Sequence, residues 1–169
     1  MIDNDVILVD EFDRQIGTME KLEAHVKAVL HRAISVFIFN SKGEWLLQRR
    51  ALEKYHSPGL WTNTSCTHPA PGETTPEAAH RRLHEEMGMR AELREVFSFK
   101  YIQELENNLT EHEYDHVFVG ISDEIPVPNP GEVVDYKYIS YEDLHREVSE
   151  NPEKFTAWFK LIYERVGKL

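Results

Sequence analysis

The sequence predicts an α/β (α+β) fold in which a mixed sheet is sandwiched between helices. Short segments rich in β-branched and aromatic residues fill the first half, a helix with clear end signals stands in the middle, and further strands precede helices at the end. The chain has 169 residues, 41% of them hydrophobic, and no repeat or linker, so it can form one sizeable core. We expect a single domain over residues 1–169.

Six segments are predicted to form strands. Most combine apolar alternation with flanking turn residues, such as Ser41-Lys42-Gly43 and Asn107-Asn108. The predicted strands are residues 6–9, 34–39, 45–48, 96–101, 113–121 and 133–139. Residues 19–27 are helical or irregular, and the prolines between 126 and 130 mark an exposed connection. Residues 55–71 are predicted to be a long loop, which in a compact domain is usually functional.

The central helix has signals at both ends. Thr74 can cap it, Pro76 suits its first turn, and Gly88 ends it after Met87. Within this helix, the core face is expected to consist of Ala79, Leu83 and Met87, which recur every four residues. The C-terminal segment is also helical, with a stripe that should pack on the sheet, formed by Phe155, Trp158, Phe159, Ile162 and Val166.

Composition excludes several classes of protein. The single cysteine rules out an internal disulfide, and Met1–Asp5 lacks the basic and apolar regions of a signal peptide, so a cytoplasmic location is expected. No apolar run approaches the roughly 18 residues of a membrane span. The net charge of -11 argues against nucleic acid as a partner.

Cys66 and His68 are the first sign of an enzyme. At a spacing of two residues on extended backbone they point the same way, so a proton-transfer group can stand beside a metal ligand. The alternative is a buried structural cysteine next to a surface histidine.

Histidines and carboxylates could form a metal site. His25 and His31 converge only if a helix ends between them, and Glu111 and Glu113 face one side of a strand. Together with His68 they suit a five- or six-coordinate divalent ion such as Mn²⁺, Mg²⁺ or Zn²⁺, and the lack of thiolate ligands argues against a closed structural zinc site. Spacing alone is weak evidence, because the chain has nine histidines.

Basic residues of the first half fall near the cysteine segment despite the acidic composition. They are Lys21, Arg49, Arg50, Lys54, Arg81 and Arg82. An anionic substrate would need such a cluster, but each can equally be an ordinary solvated charge. Arg49 and Arg50 are neighbours in a strand, so only one can face a given pocket. Arg82 and Glu86 could be an exposed helical ion pair.

Residues 67–89 resemble a Nudix box. Its pattern is a glycine, a glutamate after five residues, and after seven more an Arg-Glu pair that is followed by a Glu-Glu pair and a glycine. The matching residues are Glu73, Arg81, Leu83, Glu85, Glu86 and Gly88. Thr67 replaces the first glycine, and Arg82 replaces a glutamate that the hydrolases use to hold catalytic metal. These departures weaken a hydrolase interpretation while keeping the expectation of a Nudix-like mixed sheet.

The chain resembles the type I isopentenyl-diphosphate isomerase family over nearly its whole length. The resemblance lies in those departures and in residues 8–10, 19–25 and 62–69. The resemblance implies a proton-addition and proton-removal reaction that interconverts isopentenyl and dimethylallyl diphosphate, with Cys66 as one proton-transfer group and Glu113, assisted by Tyr101, as the other. It does not say which of them protonates the double bond.

The same resemblance implies the binding residues and cofactors. The ligands of one divalent metal ion are His25, His31, His68, Glu111 and Glu113, although the first two are one residue closer than in some members. Glu86 holds a second Mg²⁺ that comes with the substrate. The diphosphate is gripped by Lys21, Arg50, Lys54 and Arg82, and Trp158 faces the cation. The implied protein is a monomer or weak dimer without membrane insertion.

Two other functions remain possible at this point. A Nudix hydrolase of nucleotide diphosphates would need a glutamate at position 82 and would leave Cys66, His68 and Tyr101 without a role. A non-catalytic Nudix-like binding domain would need neither the thiol nor the metal ligands.

Overall fold

Nine strands and four helices follow one another along residues 4–169, the part of the chain that the computed structural model describes. They are β1 (Asp5–Val9), β2 (Gln15–Glu20), α1 (Lys21–Lys27), β3 (His31–Phe39), β4 (Trp45–Arg50), β5 (Trp61–Thr62), β6 (Ser65–Thr67), α2 (Thr75–Met87), β7 (Arg94–Glu104), β8 (Thr110–Ile121), β9 (Val133–Ile139), α3 (Tyr141–Glu150) and α4 (Ala157–Gly167). A 3₁₀ turn at Pro152–Lys154 precedes α4. Residues 1–3 of the segment Met1–Asp5, on which the expected lack of a signal peptide partly rests, lie outside the described residues.

Strand β3 organises the sheet. Along one edge it pairs in parallel with β8 over its full length, from His31 opposite Glu113 to Phe39 opposite Ile121. Along the other edge it pairs in turn with β1, β6 and β4, all antiparallel. Strands β7 and β9 extend the sheet antiparallel to β8 and β4. The predicted mixed sheet is therefore confirmed.

Each face of the sheet has its own hydrophobic core. Against α2 the sheet places Ile34, Val36, Ile38 and Leu46, and against α4 it places Phe37, Trp45, Leu47 and Val117. Successive apolar side chains of a strand thus point to opposite faces, as expected for strands that are buried on both sides. Helices therefore cover both faces, as the sequence predicts.

The predicted helix signals operate as expected. Thr74 and Glu77 form a capping box at the start of α2, and Gly88 ends it with a φ of 61° and an N–H bond to the His84 carbonyl. The expected core residues of α2 are fully buried. Among the helices described, none is long and apolar enough to cross a membrane.

One strand is missed and one local prediction is wrong. The sequence does not predict β2, because it is a largely exposed strand without apolar alternation. The predicted long loop contains β5 and β6, which lie in the sheet although their surroundings are polar. Asn63 Nδ2 donates to the Val36 and Ser65 carbonyls, and Thr64 Oγ1 donates to the Leu46 carbonyl. Because these polar side chains form hydrogen bonds to backbone carbonyls inside the sheet, a polar segment can be buried here.

Gly88 provides a test of the α2 terminus. A Cβ added there would lie 2.6 Å from the Val127 carbonyl oxygen, whereas at Gly43, with a similar φ of 78°, it would meet nothing within 4 Å. We expect Gly43→Ala to lower the free energy of unfolding by about 1 kcal/mol through backbone conformation alone. Gly88→Ala should cost at least about 1 kcal/mol more. Urea unfolding of both variants measures the difference, and equal losses would show that Val127 moves away freely.

Candidate active site and metal centre

Three histidines from separate elements meet at the start of β3. Helix α1 ends at Lys27 and the chain turns through Ala28, whose φ is 56°, so His25 and His31 face each other despite their spacing. His68 follows β6. Ring centroids are 5.1 Å apart for His25 and His31 and 4.9 Å for His31 and His68. The expected helix end between the first two histidines is confirmed.

Hydrogen bonds fix the tautomers of two of these rings. His25 Nδ1 lies 2.7 Å from the Lys21 carbonyl oxygen and His31 Nδ1 lies 2.8 Å from the Val29 carbonyl oxygen. Each Nδ1 must therefore carry the hydrogen, which leaves Nε2 as a bare acceptor. Both Nε2 atoms are buried and have no hydrogen-bond partner in residues 4–169. Buried lone pairs without donors fit a metal ion.

A carboxylate completes the cluster. The ligand atoms of His25, His31, His68 and Glu113 all lie within 4.8 Å of one another. Glu111 stands outside that group but lies on the same face of β8, with an Oε1 that is buried and unpartnered among the described residues. The Tyr101 hydroxyl is 2.8 Å from Glu111 Oε2 and 3.1 Å from Glu113 Oε2. The donor set of nitrogen and oxygen suits a divalent ion.

Burial sets the protonation of this cluster. Desolvation lowers the pKa of His31 and His68 well below the usual value, and neighbouring histidines add to the effect. Both imidazoles are therefore neutral at pH 7, the form that binds metal. Desolvation also raises the pKa of Glu111 and Glu113, and that of Tyr101 well above its usual value. A bound cation would reverse this shift for the carboxyl groups.

A cavity of about 270 Å³ opens beside the metal centre. Its walls carry most of the residues singled out in the sequence, namely Lys21, Arg50, Lys54, Cys66, His68, Arg82, Tyr101, Glu111, Glu113 and Trp158. His25 and His31 are fully buried and do not line the cavity.

Cys66 is placed by β6, opposite Ser35 of β3. It is a free, half-buried thiol. Desolvation, with the nearby Glu86 carboxylate, raises the pKa of the Cys66 thiol to about 12, so it is protonated at neutral pH. Its backbone N–H donates to Glu86 Oε1 at 3.2 Å. Glu86 thus does not line the cavity itself but holds the segment that does.

Four cations line the cavity, and they are not ordinary solvated charges. Arg50 is only 7% exposed and donates to the His56 and Ser57 carbonyls, whereas Arg49 bonds Gly59 and lies outside the cavity. A register shift between Arg49 and Arg50 aims the latter inward. Desolvation, with repulsion from Lys54 and Arg82, lowers the pKa of Lys21.

Arg82 and Glu86 do not form the exposed ion pair that remained possible. Arg82 Nε lies 3.2 Å from Glu86 Oε1, and Glu86 is only 2% exposed. Arg82 Nη2 also contacts Glu132 at 2.9 Å, and Lys54 pairs with the same Glu132 oxygen. Burial opposes the charge on Arg82, but Glu86 and Glu132 outweigh it and raise the pKa of Arg82.

Trp158 contributes to both the α4 face and the cavity. It is 3% exposed, with the Arg50 guanidinium 5.2 Å from its ring and the His56 ring edge-on at 5.7 Å. Its indole Nε1 is buried and finds no acceptor in the described part of the chain. One face of the Trp158 ring can therefore contact a ligand in the cavity while α4 remains packed on the sheet.

Sequence reasoning missed three residues of this site. Asp115 lines the cavity next to Glu113 and accepts a 2.8 Å bond from Ser35, and the i, i+2 pattern of Glu111 and Glu113 could have found it. His56 lines the cavity as well, with burial and Arg50 lowering its pKa to about 2. Glu132 follows a Pro- and Gly-rich stretch and gave no signal.

The fold and this site define the class of protein. Residues 29–159 match the NUDIX domain family. Solved structures agree in fold: DR0079 from Deinococcus radiodurans has a TM-score of 0.72 at 21% identity, covering 87% of this chain and 90% of that one. The MutT protein from Methanosarcina mazei Go1 has a TM-score of 0.66 at 22% identity, covering 82% and 94%. The chain belongs to the Nudix superfamily.

Within that superfamily the relatives are more specific. The isopentenyl-diphosphate Delta-isomerase of Pectobacterium atrosepticum is 55% identical over 96% of this chain and 90% of its own length. The enzyme of the same name from Serratia proteamaculans is 48% identical over 98% and 93%. The chain is accordingly a member of the isopentenyl-diphosphate Delta-isomerase family.

The metal centre makes a direct prediction. Purified protein should contain about one divalent ion per chain, and His25→Ala or His68→Ala should lose it, because removing a ligand typically costs at least 10- to 100-fold in affinity. His80→Ala is a matched control, since His80 is exposed on α2 with its Nδ1 bonded to Pro76. Elemental analysis after dialysis measures the ion. Full metal content in His25→Ala would contradict the assignment.

Proposed function

We propose that this chain is an isomerase that interconverts isopentenyl diphosphate and dimethylallyl diphosphate for isoprenoid biosynthesis. The observation that carries the proposal is one cavity lined by a thiol, a tyrosine, two glutamates and four cations. A proton must be added at one carbon of the substrate and removed from another, which needs an acid and a base on opposite sides.

The diphosphate end of the substrate would lie against Lys21, Arg50, Lys54 and Arg82. Three of these come from different elements, so their convergence needs the folded chain. Arg82 can offer two parallel N–H groups to phosphate oxygens, and lysine supplies a compact charge. A substrate charge would offset the repulsion from Lys54 and Arg82, which adds to desolvation in lowering the pKa of Lys21.

The five-carbon end would lie between the two proton-transfer groups. Cys66 is on β6 and Tyr101 on β7, and the sheet order β6, β3, β8, β7 separates them by three strand spacings. Neighbouring strands are about 4.8 Å apart, so the backbones stand roughly 14 Å apart and leave room for a small chain between the side chains.

Proton transfer then needs only these two walls. One group delivers a proton to the terminal methylene carbon of isopentenyl diphosphate, positive charge develops at the adjacent substituted carbon, and the other group takes a proton from the next carbon along. In the reverse direction the roles exchange, so both Cys66 and Glu113 must hold and release a proton. The Tyr101 hydroxyl, within bonding distance of both glutamates, can pass a proton between Glu113 and the substrate.

Trp158 would stabilise the developing charge. A ring face toward a cation contributes about 0.5 to 2 kcal/mol. The buried walls also exclude water, which would otherwise capture the cationic carbon.

Two metal ions complete the proposal. His25, His31, His68, Glu111 and Glu113 would hold one divalent ion, Mn²⁺, Mg²⁺ or Zn²⁺, and Glu86 would hold a Mg²⁺ that accompanies the diphosphate. Such ions neutralise diphosphate charge and lower the pKa of bound carboxyl groups. The unpartnered His25 and His31 Nε2 atoms support the first site.

The other two functions explain less. A nucleotide-diphosphate hydrolase would use a carboxylate at position 82, where a guanidinium pairs with Glu86 instead. A non-catalytic binding domain leaves the convergence of thiol, tyrosine and metal ligands without a purpose. We further propose that residues 1–169 act as one domain, in the cytoplasm, as a monomer or weak dimer.

One assay tests the proposal against both alternatives. The metal-loaded protein is incubated with isopentenyl diphosphate and Mg²⁺, and the product is tested for acid lability, which the allylic diphosphate has and the substrate lacks. Nucleotide diphosphates are offered in parallel with detection of released phosphate. Acid-labile product without nucleotide cleavage supports the isomerase, and the absence of acid-labile product contradicts it.

The thiol should be essential to turnover. We expect Cys66→Ser to lower kcat by at least about 10²-fold with little change in fold or diphosphate binding, the usual scale for a positioned proton-transfer group. A hydroxyl is far less acidic than a thiol, so serine should not substitute. Cys66→Ala should behave alike. Near-normal turnover of Cys66→Ser, measured with purified folded protein, would remove Cys66 from the mechanism.

Arg82 should be a substrate contact. Arg82→Ala is expected to weaken isopentenyl diphosphate binding by roughly 1.5 to 3 kcal/mol, the scale of a hydrogen bond to a charged group. It should also lower stability, because Glu86 and Glu132 lose a partner. Arg81→Ala is the control, since Arg81 pairs with Glu73 and does not line the catalytic cavity. Calorimetric titration with an unchanged dissociation constant in Arg82→Ala would leave Arg82 as a purely structural ion pair.

A further inference from the structure

Glu132 is a carboxylate that contacts two of the four cavity cations and that the proposed reaction does not use. Its Oε2 atom accepts a hydrogen bond from Arg82 Nη2 at 2.9 Å and another from Lys54 Nζ. Arg82 also lies near Glu85 and Glu86, but both of these belong to its own helix, α2. In the described part of the chain, Glu132 is the carboxylate that joins two cations of the cavity.

The backbone of Glu132 is held in place while its side chain reaches solvent. Its N–H donates to the Asn129 carbonyl at 2.9 Å, and its carbonyl accepts from the Ala51 N–H at 3.0 Å. The Asn129 N–H donates in turn to the Glu86 carbonyl near the end of α2. The Glu132 side chain is 25% exposed, so it can rotate outward without moving this backbone. Glu132 can therefore leave the two cations while the rest of the site stays in place.

The Glu132 oxygen occupies a position that suits a phosphate oxygen. The two nitrogens that meet there, Lys54 Nζ and Arg82 Nη2, only donate hydrogen bonds. Both residues line the catalytic cavity, and both also line an adjoining outer groove that contains Glu132. A diphosphate oxygen that accepts from both nitrogens in the same geometry would meet the Glu132 oxygen there. The carboxylate and a diphosphate are therefore competitors for the same pair of cations.

The cavity cations repel one another when no anion lies between them. Desolvation lowers the pKa of Lys21, and repulsion from Lys54 and Arg82 lowers it further, whereas the negative charge of the outer groove opposes this shift. That negative charge is Glu132. Burial opposes its ionisation, but Lys54 and Arg82 outweigh burial and lower the pKa of Glu132, so it is anionic at neutral pH. The carboxylate thus stabilises three neighbouring positive charges before a ligand arrives.

We propose that Glu132 is a built-in competitor that occupies the diphosphate clamp, formed by Lys21, Arg50, Lys54 and Arg82, until the substrate displaces it. This inference rests on the proposed function, which assigns the diphosphate to these cations. The carboxylate keeps the clamp assembled in the free protein, and its charge lowers the affinity for any diphosphate that enters. Substrate and product carry the same diphosphate, so both are held less tightly and the product can leave.

Calorimetric titration with inorganic diphosphate tests the proposal on the purified protein, without added Mg²⁺. Glu132→Gln keeps the length of the side chain and one acceptor oxygen but removes the charge. We expect this variant to bind diphosphate at least about fivefold more tightly, because the ligand no longer has to break two ion pairs. Unchanged or weaker binding would overturn the proposal and leave Glu132 as a residue that only positions the cations.

Glu53→Gln is the matched control. Glu53 lines the same cavity and forms no ion pair among the residues that the structure describes, so its variant removes an equal charge without freeing a cation. The diphosphate affinity of Glu53→Gln should differ from that of the wild type by less than about twofold. Equal tightening in both variants would also overturn the proposal, because it would show that only the total charge of the cavity matters.

Thermal unfolding provides a second measurement. Without ligand, Glu132→Gln should unfold at a lower temperature than the wild type, since Lys54 and Arg82 lose their counter-charge. The same concentration of inorganic diphosphate should then raise the unfolding temperature more in the variant. An equal or smaller rise contradicts the proposal. If Glu132→Gln does not fold, the side-chain carboxyl signal of Glu132 in nuclear magnetic resonance of the wild type decides: it should shift when diphosphate is added, and an unchanged signal rejects displacement.

The outcome for Glu132 is separate from that for the proposed function. A wild-type protein that does not convert isopentenyl diphosphate contradicts the proposed function. A wild-type protein that converts it, together with an unchanged or weaker diphosphate affinity in Glu132→Gln, contradicts only the inference about Glu132.

Discussion

The parallel pairing of β3 with β8 is the constraint on which the site depends. It puts His31 beside Glu113 at one end and Phe37 beside Val119 further along. The apolar half of the pair is held in register by the core under α4, because a slip of one residue would turn every side chain to the other face. The polar half of the pair has no apolar core of its own to fix its register. His31 and Glu113 of the candidate metal centre therefore meet because the hydrophobic half of the same two strands fixes the register.

This arrangement places many buried polar groups close together. His25, His31 and Glu111 each have a buried atom without a partner in the described structure, and so do Asp115 and Trp158. An unpartnered buried polar group costs roughly 1 to 3 kcal/mol. Two apolar cores, one on each face of the sheet, offset that cost in the folded chain. Any ligand that satisfies these atoms binds the folded state alone and so adds stability.

The sequence predicts the parts of the fold that follow simple periodicity. The core faces of α2 and α4 and the strands β3, β8 and β9 are of this kind, since burial on a sheet or helix face leaves a regular apolar pattern. It does not predict β6, because Thr64, which precedes this strand, is buried through hydrogen bonds to backbone and leaves no apolar pattern. Most of the predicted site residues line one cavity, but Glu132 could not be found, because its role depends on contacts with Arg82 and Lys54, which are distant from it in sequence.

Helix α2 explains how a Nudix framework can support a different chemistry. Its buried end presents one carboxylate, Glu86, and one guanidinium, Arg82, while Glu85 points outward with 42% of its side chain exposed. A glutamate at position 82 would add a negative charge beside Glu86 and favour metal binding by the protein alone. Arginine instead pairs with Glu86 and Glu132 and lines the cavity. The helix thereby offers positive charge to the cavity through Arg82 and holds the Cys66 segment through Glu86, within an unchanged Nudix fold.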